Sequence, residues 1–285
     1  MVNIQKAAVI GCGFVGSTIA YTLMQKGLFS EMVLLDANKA KAEGEAMDIS
    51  HGLPFTHAMD IYAGEYEDIA DASVVIITAG ANQKPGETRL DLVQKNAAIM
   101  RSIIKEIKRV NCEGILLIVS NPVDILTEVA LRESGFPKER VIGSGTVLDT
   151  ARLKYIISEK LDVDSRNVHA FIVGEHGDSE LAAWSCANIY GIKLQDFAKM
   201  RGYEHFAQDM EEVYKGVRDS AYEIIERKGA TYYGLEGLCL SIPTIVGRGG
   251  AEQVLEIDFS EEEMKKLRKS AEELGAVLDQ VNIEK

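Results

Sequence analysis

The first half of the chain alternates short apolar runs with longer segments in which apolar residues recur every three or four positions. The runs predict buried strands and the longer segments predict helices with one buried face. We expect strands at residues 6–10, 32–35, 74–78, 115–119 and 140–142. We expect helices between them, at residues 16–26, 37–50, 88–110 and 122–134. Such alternation is typical of βαβ units around a parallel sheet.

The pattern changes after about residue 143. A helical segment at 148–161 leads into a strand-like run at 168–173, and a long helical segment follows at 204–228. Strands and helices no longer alternate regularly in this half. We therefore expect two domains: a doubly wound α/β domain in residues 1–143 and a mixed α+β domain in residues 144–285.

A helix is also predicted near the C-terminus. Ser260 and Glu263 have the spacing of a capping box, in which each side chain bonds the backbone of the other residue. One face of the helix then carries Met264, Leu267, Ala271, Leu274, Leu278 and Val281. An apolar stripe of this kind predicts core packing, and we assign it no functional role.

Three glycines follow the first predicted strand. Gly11, Gly13 and Gly16 form the pattern G-x-G-x-x-G between a strand and a helix, which is the context that a dinucleotide pyrophosphate requires. The second predicted strand ends at Asp36, where a carboxylate would bind a ribose 2′-hydroxyl and repel a 2′-phosphate. The sequence therefore predicts binding of NAD in preference to NADP.

One histidine stands among glycines and acidic residues. His176 lies in IVGEHGDSE, residues 172–180, directly after an apolar run. An imidazole titrates near neutral pH and can give a proton to a carbonyl or take one from an alcohol. A structural role in a turn is the alternative for this histidine taken alone.

The composition narrows the classes of function. A formal net charge of −13 disfavours a nucleic-acid or anionic-membrane surface, so an anionic substrate would need locally placed arginines. No apolar segment approaches the length of a membrane span, and the N-terminal segment does not resemble a signal peptide. Cys12, Cys112, Cys186 and Cys239 are scattered, which disfavours a zinc site and a disulfide framework. We expect a cytoplasmic protein without a metal.

Several longer motifs appear in a fixed order: GCGFVGS, AGANQKPGETRLDLV, SNPVDILT, IGSGTVLDTARL, GEHGDSE and KGATYYG. With these motifs the chain resembles the lactate/malate dehydrogenase family, and within it the bacterial type of L-lactate dehydrogenase. The resemblance runs from about residue 5 to 234 and resumes from 235 to the last helix. It implies a Rossmann domain that binds NAD, a substrate domain, and interconversion of pyruvate and L-lactate in glycolytic or fermentative metabolism.

The resemblance gives the polar residues of these motifs catalytic roles. His176 would exchange a proton with the substrate oxygen, and Asp149 would orient the imidazole and stabilise its charged form. Arg152 would hold the substrate carboxylate through two parallel hydrogen bonds, which a lysine cannot make. Arg89 would stabilise charge that develops on the carbonyl. Singly, each could be an ordinary structural or solvated residue.

The resemblance also implies a wider set of binding residues. Asn121 would lie near both substrate and cofactor, and Thr231 would line the substrate pocket. The cofactor site would include, besides the three glycines and Asp36, the residues Val15, Lys41, Tyr66, Gly80, Ala81, Ser102 and Asn121.

The segment 82–89 is interpreted as a lid that excludes water and delivers Arg89. Gln83 in this segment favours pyruvate, because a neutral amide suits its methyl end. Malate dehydrogenases resemble the segment but carry an arginine there, which pairs with the second carboxylate of oxaloacetate. Malate dehydrogenase activity is the alternative.

A regulatory site is a further hypothesis. His169 and Lys154 stand where bacterial members of the family carry a histidine and an arginine for fructose 1,6-bisphosphate. That site lies between subunits, so the resemblance implies a homo-oligomer, either a tetramer or a dimer. Lysine binds phosphate as a point charge without the bidentate geometry of arginine. The alternative is that both residues are structural.

The sequence departs from the family after KGATYYG. Gly234 runs directly into Leu235, and about thirty residues of the usual substrate domain appear to be missing at this junction. Such a loss should expose apolar side chains and unpaired strand edges. An enzyme of low stability, a natural short form completed by oligomer contacts, and a non-catalytic NAD-binding or subunit-interaction protein all remain open.

Overall fold

A computed structural model describes residues 1–81, 86, 88–229, 231 and 242–281, with Arg89 described by its backbone alone. The chain forms two compact units. Unit 1 comprises Met1–Ser144, Val246–Glu252 and Ala276–Lys285, and unit 2 comprises Gly145–Ile245 and Gln253–Gly275. None of the helices in the described ranges is long and apolar enough to cross a membrane.

Unit 1 is built on a six-stranded sheet in which all the observed pairs are parallel. Its strands are β1 (Asn3–Ile10), β2 (Glu31–Leu35), β3 (Asp60–Ala63), β4 (Ala72–Ile77), β5 (Ile115–Ile118) and β6 (Val141–Gly143). Their order is β3-β2-β1-β4-β5-β6. The order reverses between β1 and β4, which is the position where sheets of this type bind dinucleotides. The predicted doubly wound fold is confirmed.

Four helices connect these strands: α1 (Phe14–Lys26), α2 (Lys39–Ser50), α3 (Arg89–Arg109) and α4 (Val123–Ser134). Their ends follow from local chemistry. The Asn38 side chain caps α2, and Thr88 and Asp91 form a capping box on α3. Gly27 and Gly135 end α1 and α4 in the left-handed conformation that glycine adopts without strain. All four helices were predicted.

The pattern of apolar residues did not predict β3. Its sequence, DIYA, is short, and only Ile61 among its four residues is buried. Because β3 lies at the edge of the sheet and, in the described part of the chain, pairs with β2 alone, it does not need the continuous apolar run of a central strand.

Unit 2 contains α5 (Val147–Leu161), α6 (Leu194–Met200) and α7 (Phe206–Lys228). Its short strands are β7 (Val168–His169), β8 (Ile172–Val173), β9 (Leu181–Ala182), β10 (Asn188–Ile189) and β11 (Ile192–Lys193). They form two sheets, β11-β10-β7 and β8-β9. Buried residues of α5, α7 and these strands share one apolar core.

The prediction of a single strand at 168–173 is wrong in one respect. The run forms two strands of two residues each, because β7 pairs with β10 whereas β8 pairs with β9. Apolar character runs through both strands, since Val168, Ala170, Ile172 and Val173 are all buried. Periodicity alone therefore could not locate the change of partner.

A hairpin of β12 (Thr244–Gly247) and β13 (Gly250–Val254) precedes the last helix, α8 (Glu261–Leu278). Within the described residues these two strands form a sheet of their own. Ile245, Val254 and Leu255 are exposed in or beside the hairpin. These exposed apolar side chains agree with the expectation for a chain that lacks part of this region.

The predicted capping box of α8 is present, because the Glu263 carboxylate accepts the Ser260 backbone N–H at 2.7 Å and Ser260 Oγ accepts the Glu263 backbone N–H at 3.3 Å. The predicted apolar stripe is only partly covered: Val281 is buried, Met264, Leu267, Leu274 and Leu278 are partly buried, and Ala271 is exposed. Glu263 and Ser270 are the buried residues of α8. They are buried because they accept backbone N–H groups, from Ser185 and Glu175 respectively.

Replacement of Ile157 by alanine tests the core of unit 2. Ile157 is fully buried on α5, so truncation should lower the free energy of unfolding by about 2–5 kcal/mol. Ile225→Ala on α7 is the matched control, because Ile225 is 47% exposed and its loss should cost less than about 1 kcal/mol. Urea unfolding followed by circular dichroism measures both. Equal losses in the two variants would contradict this packing.

Candidate functional site

The glycine loop after β1 is tightly packed. A Cβ on Gly16 would lie 1.8 Å from the carbonyl oxygen of Gly11, and one on Gly11 would lie 2.6 Å from the backbone nitrogen of Ala79. Gly11 also has a positive φ of 103°, which disfavours other residues. Both glycines are therefore required for the backbone to fold here.

Gly13 serves a different purpose from its two neighbours in the motif. It caps α1, and a Cβ built on it would meet no protein atom within 4 Å. The helix N-terminus directs backbone N–H groups toward this open space. A pyrophosphate can approach the backbone here, and a side chain would obstruct it. The glycine loop therefore fits the cofactor that the sequence predicts.

Asp36 lies directly after β2 and bonds this loop. Its Oδ2 accepts the Cys12 N–H at 2.8 Å, and its Oδ1 accepts the Asn38 N–H at 2.8 Å. The carboxylate is thus fixed beside the glycine loop, as a ribose-binding acid must be. Burial and the charge of Asp36 raise the pKa of the Cys12 thiol to about 12, so this cysteine remains protonated.

The carboxyl ends of β4 and β5 are joined by one amide. Asn96 on α3 is buried, its Oδ1 accepts the Ala81 N–H at 2.8 Å, and its Nδ2 donates to the Asn121 carbonyl at 2.8 Å. Ser120 adds a bond from its hydroxyl to the Ala79 carbonyl at 2.7 Å. These contacts hold the backbone of the predicted residues Ala81 and Asn121 at one edge of the sheet.

The other residues predicted to bind the cofactor are spread over unit 1. Val15 lies in the first turn of α1, Lys41 is exposed on α2, and Ser102 is exposed on α3. Gly80 is exposed after β4. Tyr66 follows β3 and is partly buried, and burial, with a smaller effect of the Glu106 charge, raises its pKa. The structure joins the glycine loop to Asp36, and among the described residues no side-chain hydrogen bond links that group to Ser102 or Tyr66.

In unit 2, two threonines fix the start of α5 against β8. The buried Thr146 hydroxyl donates to the Ile172 carbonyl at 2.6 Å. Thr150 accepts the Ile172 N–H through its hydroxyl at 3.0 Å. Because Asp149 lies between these threonines and His176 lies four residues after Ile172, the two bonds bring that carboxylate and the imidazole together.

Asp149 and His176 form a short hydrogen bond. His176 Nδ1 lies 2.5 Å from Asp149 Oδ2, and Arg152 Nη1 donates to Asp149 Oδ1 at 2.9 Å. Burial opposes ionisation of Asp149, but the hydrogen bond from His176 and the charges of His176 and Arg152 outweigh it and lower its pKa. The proton at Nδ1 is held by the carboxylate, so the proton that the imidazole can exchange is the one at Nε2.

A second buried carboxyl group lies beside this pair. Glu180 is 7% exposed, and its carboxyl group is close to that of Asp149. One side-chain nitrogen or oxygen atom from each of Asp149, His176 and Glu180 lies within 4.8 Å of those of the other two. Burial, followed by the negative charge of Asp149, raises the pKa of Glu180 to about 8. The surroundings of the cluster therefore favour an ionised Asp149 and a protonated Glu180.

The loop that carries His176 is held by α8. Ser270 Oγ accepts the Glu175 N–H at 2.9 Å and lies 3.0 Å from Ser179 Oγ. Gly174 begins the loop with a φ of 94°, and a Cβ there would lie 2.9 Å from Ser270 Oγ. Glycine is thus required where the loop passes close to the helix.

Models of one protein family match both halves of the chain. Residues 5–143 match the model for the NAD-binding domain of lactate/malate dehydrogenases, and residues 146–237 match the model for their alpha/beta C-terminal domain.

The chain belongs to the lactate/malate dehydrogenase family.

Individual relatives agree with this assignment. The chain is 49% identical to an L-lactate dehydrogenase of Acetivibrio thermocellus, in an alignment that covers 98% of each protein. It is 45% identical to an L-lactate dehydrogenase of a Thermoanaerobacter species, over 98% of this chain and 99% of the relative. A crystal structure of the minor L-lactate dehydrogenase of Enterococcus mundtii matches with a TM-score of 0.93 at 40% identity, over 98% and 99% of the two chains.

The same comparisons bear on the missing segment. The alignment with the Acetivibrio enzyme is 311 positions long, whereas this chain has 285 residues, so at least 26 positions are gaps in this chain. The match to the C-terminal domain of the family ends at residue 237, three residues after Gly234. Both findings agree with a family member that lacks an internal segment.

Some of the predicted family residues cannot be placed. Gln83 and the junction of Gly234 with Leu235 lie outside the described residues, as does the side chain of Arg89. The backbone of Arg89 forms the first turn of α3. Thr231 is partly buried. Their roles stay predictions.

The two residues of the predicted regulatory site lie in unit 2. Lys154 is partly buried on α5, and His169 is exposed on β7, opposite Asn188 of β10. The elements α5 and β7 pack against each other. Binding of a phosphate ester there stays a prediction.

Sequence reasoning missed several residues that shape the site. Asn96, Thr146, Glu180 and Ser270 are buried polar residues, and each bonds a residue or a loop named above. Their types and positions alone do not reveal burial, because Asn, Thr, Glu and Ser are usually exposed. For Glu180 the sequence offered one indication, because it is the last residue of the motif IVGEHGDSE around His176.

The raised pKa of Glu180 predicts a dependence of stability on pH. Its ordinary pKa is 4.5 and its folded value is about 8, so between these values the folded state keeps a proton that the unfolded state loses. The free energy of unfolding should fall across that range by up to about 1.4 kcal/mol per pH unit relative to Glu180→Gln, which cannot titrate. Urea unfolding of both proteins from pH 5 to 8 measures the difference. Parallel profiles would contradict a protonated Glu180.

Proposed function

We propose that this chain catalyses the reversible reduction of pyruvate to L-lactate. The observation that carries the proposal is the pair of Asp149 and His176, in which the carboxylate holds Nδ1 at 2.5 Å and leaves proton exchange to Nε2. The relatives quoted above are named L-lactate dehydrogenases. NAD is the cofactor, since residues 5–143 match the NAD-binding domain of the family.

His176 acts as the general acid and base. When bound, the reduced cofactor supplies a hydride to the ketone carbon, and negative charge develops on the ketone oxygen. The protonated imidazole donates its Nε2 proton to that oxygen, and in the reverse direction it accepts the proton of the hydroxyl group. Asp149 stabilises the charged imidazole because it remains ionised in its buried position.

Arg152 holds the substrate carboxylate. Its guanidinium has five N–H donors in a fixed plane, and the contact with Asp149 involves Nη1. Asp149 thereby orients the guanidinium as well as the imidazole. The imidazole and the guanidinium, two of the groups that contact the substrate, are thus positioned by one buried carboxylate.

The remaining roles follow from the family resemblance. Arg89 stabilises the developing charge, and Gln83 accommodates the methyl end of pyruvate. Asn121 contacts substrate and cofactor from the end of β5, and Thr231 lines the pocket. In the cofactor site we place Gly11, Gly13, Val15, Gly16, Asp36, Lys41, Tyr66, Gly80, Ala81, Ser102 and Asn121. We also propose that the cofactor domain spans residues 1–143 and the substrate domain residues 144–285.

The biological setting is part of the same proposal. The resemblance supports a cytoplasmic enzyme of fermentation or glycolysis that works as a homo-oligomer, a tetramer or a dimer. His169 and Lys154 would bind fructose 1,6-bisphosphate, and the enzyme would then be allosteric. What supports this is the exposed position of His169 on β7, which packs against the helix that carries Lys154.

Turnover assays test the proposal and its two rivals. We expect NADH to be oxidised with pyruvate faster than with oxaloacetate, because Gln83 leaves a second carboxylate unpaired. Gln83→Arg should shift the ratio of kcat/KM toward oxaloacetate on the order of a hundredfold. A preference of the unaltered protein for oxaloacetate would instead indicate a malate dehydrogenase. Binding of NADH without turnover of either substrate would favour the non-catalytic protein that the missing segment suggests.

Fructose 1,6-bisphosphate should lower the KM for pyruvate if His169 and Lys154 form its site. Lys154→Ala should weaken the response, and Lys154→Arg should strengthen it, because arginine adds bidentate contacts to phosphate. Kinetics and sedimentation with and without the effector measure the effect. An unchanged KM and an unchanged oligomer size would rule out the regulatory site.

A further inference from the structure

Asp149 has three polar partners at its carboxylate, and the proposed mechanism uses two of them. His176 contacts Oδ2 and Arg152 contacts Oδ1, whereas the buried Glu180 carboxyl group, which lies within 4.8 Å of Asp149, has no role in that mechanism. Two carboxyl groups in contact cannot both be ionised at low cost when they are buried. Asp149 faces two cationic partners and keeps the charge. Glu180 must then keep its proton, and the protonated carboxyl group can donate a hydrogen bond to Asp149.

The position of Glu180 is fixed from two sides. Its backbone carbonyl accepts the Tyr214 hydroxyl of α7 at 2.5 Å, and its backbone N–H donates to the Gly177 carbonyl at 3.3 Å. The second bond closes a turn within the loop that carries His176. Glu180 therefore connects α7 to this loop at the point where its side chain reaches α5.

We propose that Glu180 is a positioning residue for the Asp149–His176 pair. Its protonated carboxyl group donates a hydrogen bond to Asp149, holds that carboxylate in the orientation that receives His176 Nδ1–H, and withdraws part of its negative charge from the imidazole. Glu180 does not touch the substrate. The inference rests on the proposed function, because it concerns the proton that His176 exchanges.

Several charged or titratable groups face Glu180. From α5 they are Asp149 and Arg152, from the loop His176, and from α7 Tyr214. Glu211 and Arg218 of α7 line the cavity to which Glu180 also contributes. On α8, Lys266 and Lys269 line the same cavity as Glu180, but each forms an ion pair with a glutamate of that helix. Of these groups, Asp149 and His176 have side-chain atoms within 4.8 Å of Glu180, and Asp149 is the one whose charge favours a proton on Glu180.

Three variants separate donation of a hydrogen bond from simple occupation of space. Glu180→Gln keeps a donor of the same shape, whereas Glu180→Ala removes it. Glu263→Gln is the control, because Glu263 is also buried in unit 2 but bonds Ser185 and Ser260 instead of Asp149. We expect Glu180→Ala to lower kcat for pyruvate about tenfold with a smaller change in KM. Glu180→Gln and Glu263→Gln should stay within about twofold of the unaltered enzyme near neutral pH.

Two outcomes of this experiment would overturn the proposal. If Glu180→Ala turns over pyruvate at the unaltered rate, the hydrogen bond has no positioning effect. If Glu180→Gln loses as much activity as Glu180→Ala, the donor does not account for the loss. Circular dichroism and urea unfolding confirm that the compared variants are folded, and Glu180→Gln alone decides the second outcome if the alanine variant does not fold.

A readout without turnover separates this proposal from the proposed function. Diethyl pyrocarbonate modifies neutral imidazole, and peptide mass spectrometry measures the rate at His176 as a function of pH. Without the donor, the full charge of Asp149 acts on His176, so Glu180→Ala should move the midpoint to higher pH by roughly half a unit or more. Glu180→Gln should move it less. If the unaltered protein and Glu180→Ala have the same midpoint, Glu180 has no positioning role, even if the enzyme is active. If the midpoint shifts in a protein that does not turn over pyruvate, the role of Glu180 is supported and the proposed dehydrogenase function is wrong.

Discussion

The buried carboxylate of Asp149 is the constraint around which the site in unit 2 is built. An ionised group that is 3% exposed is costly unless charges and donors surround it. Here an imidazole, a guanidinium and a protonated carboxyl group do so. The need to compensate one charge therefore places three side chains within reach of a substrate or of one another. Folding must compensate the buried charge of Asp149 in any case, and the same compensation arranges the catalytic side chains.

The cofactor side of unit 1 depends on a different constraint. Its loop is shaped by contacts between backbone atoms, and Gly11 and Gly16 leave space for nothing larger than hydrogen. The polar residues around it, Asp36, Asn96 and Ser120, bond backbone groups at the ends of the strands. Recognition in this unit thus relies on main-chain geometry, whereas the chemistry of unit 2 relies on side-chain charge.

The sequence predicted those parts of the protein that repeat a simple rule. Buried parallel strands are continuous apolar runs, and helices expose one face, so the central strands and the helices of unit 1 were recognisable. The glycine motif and the histidine motif were also recognisable, because glycine and histidine each have a property that no other residue type replaces. Edge strand β3 and the divided run at 168–173 were missed or misjudged because pairing partners, which the apolar pattern does not encode, determine them. Glu180 and Ser270 escaped because their burial arises from contacts distant in sequence.

The anchoring of the histidine loop by α8 links the local stability of this helix to the geometry of the catalytic loop. Most side chains of α8 are exposed or partly exposed, and Glu263 and Ser270 are its buried ones. A helix with so few buried groups is the kind of element that opens locally well before a whole protein unfolds. When it opens, Glu175 and Ser179 lose Ser270, and the loop loses its fixed path. If α8 opens at a lower temperature than the rest of the protein, catalysis stops at that lower temperature.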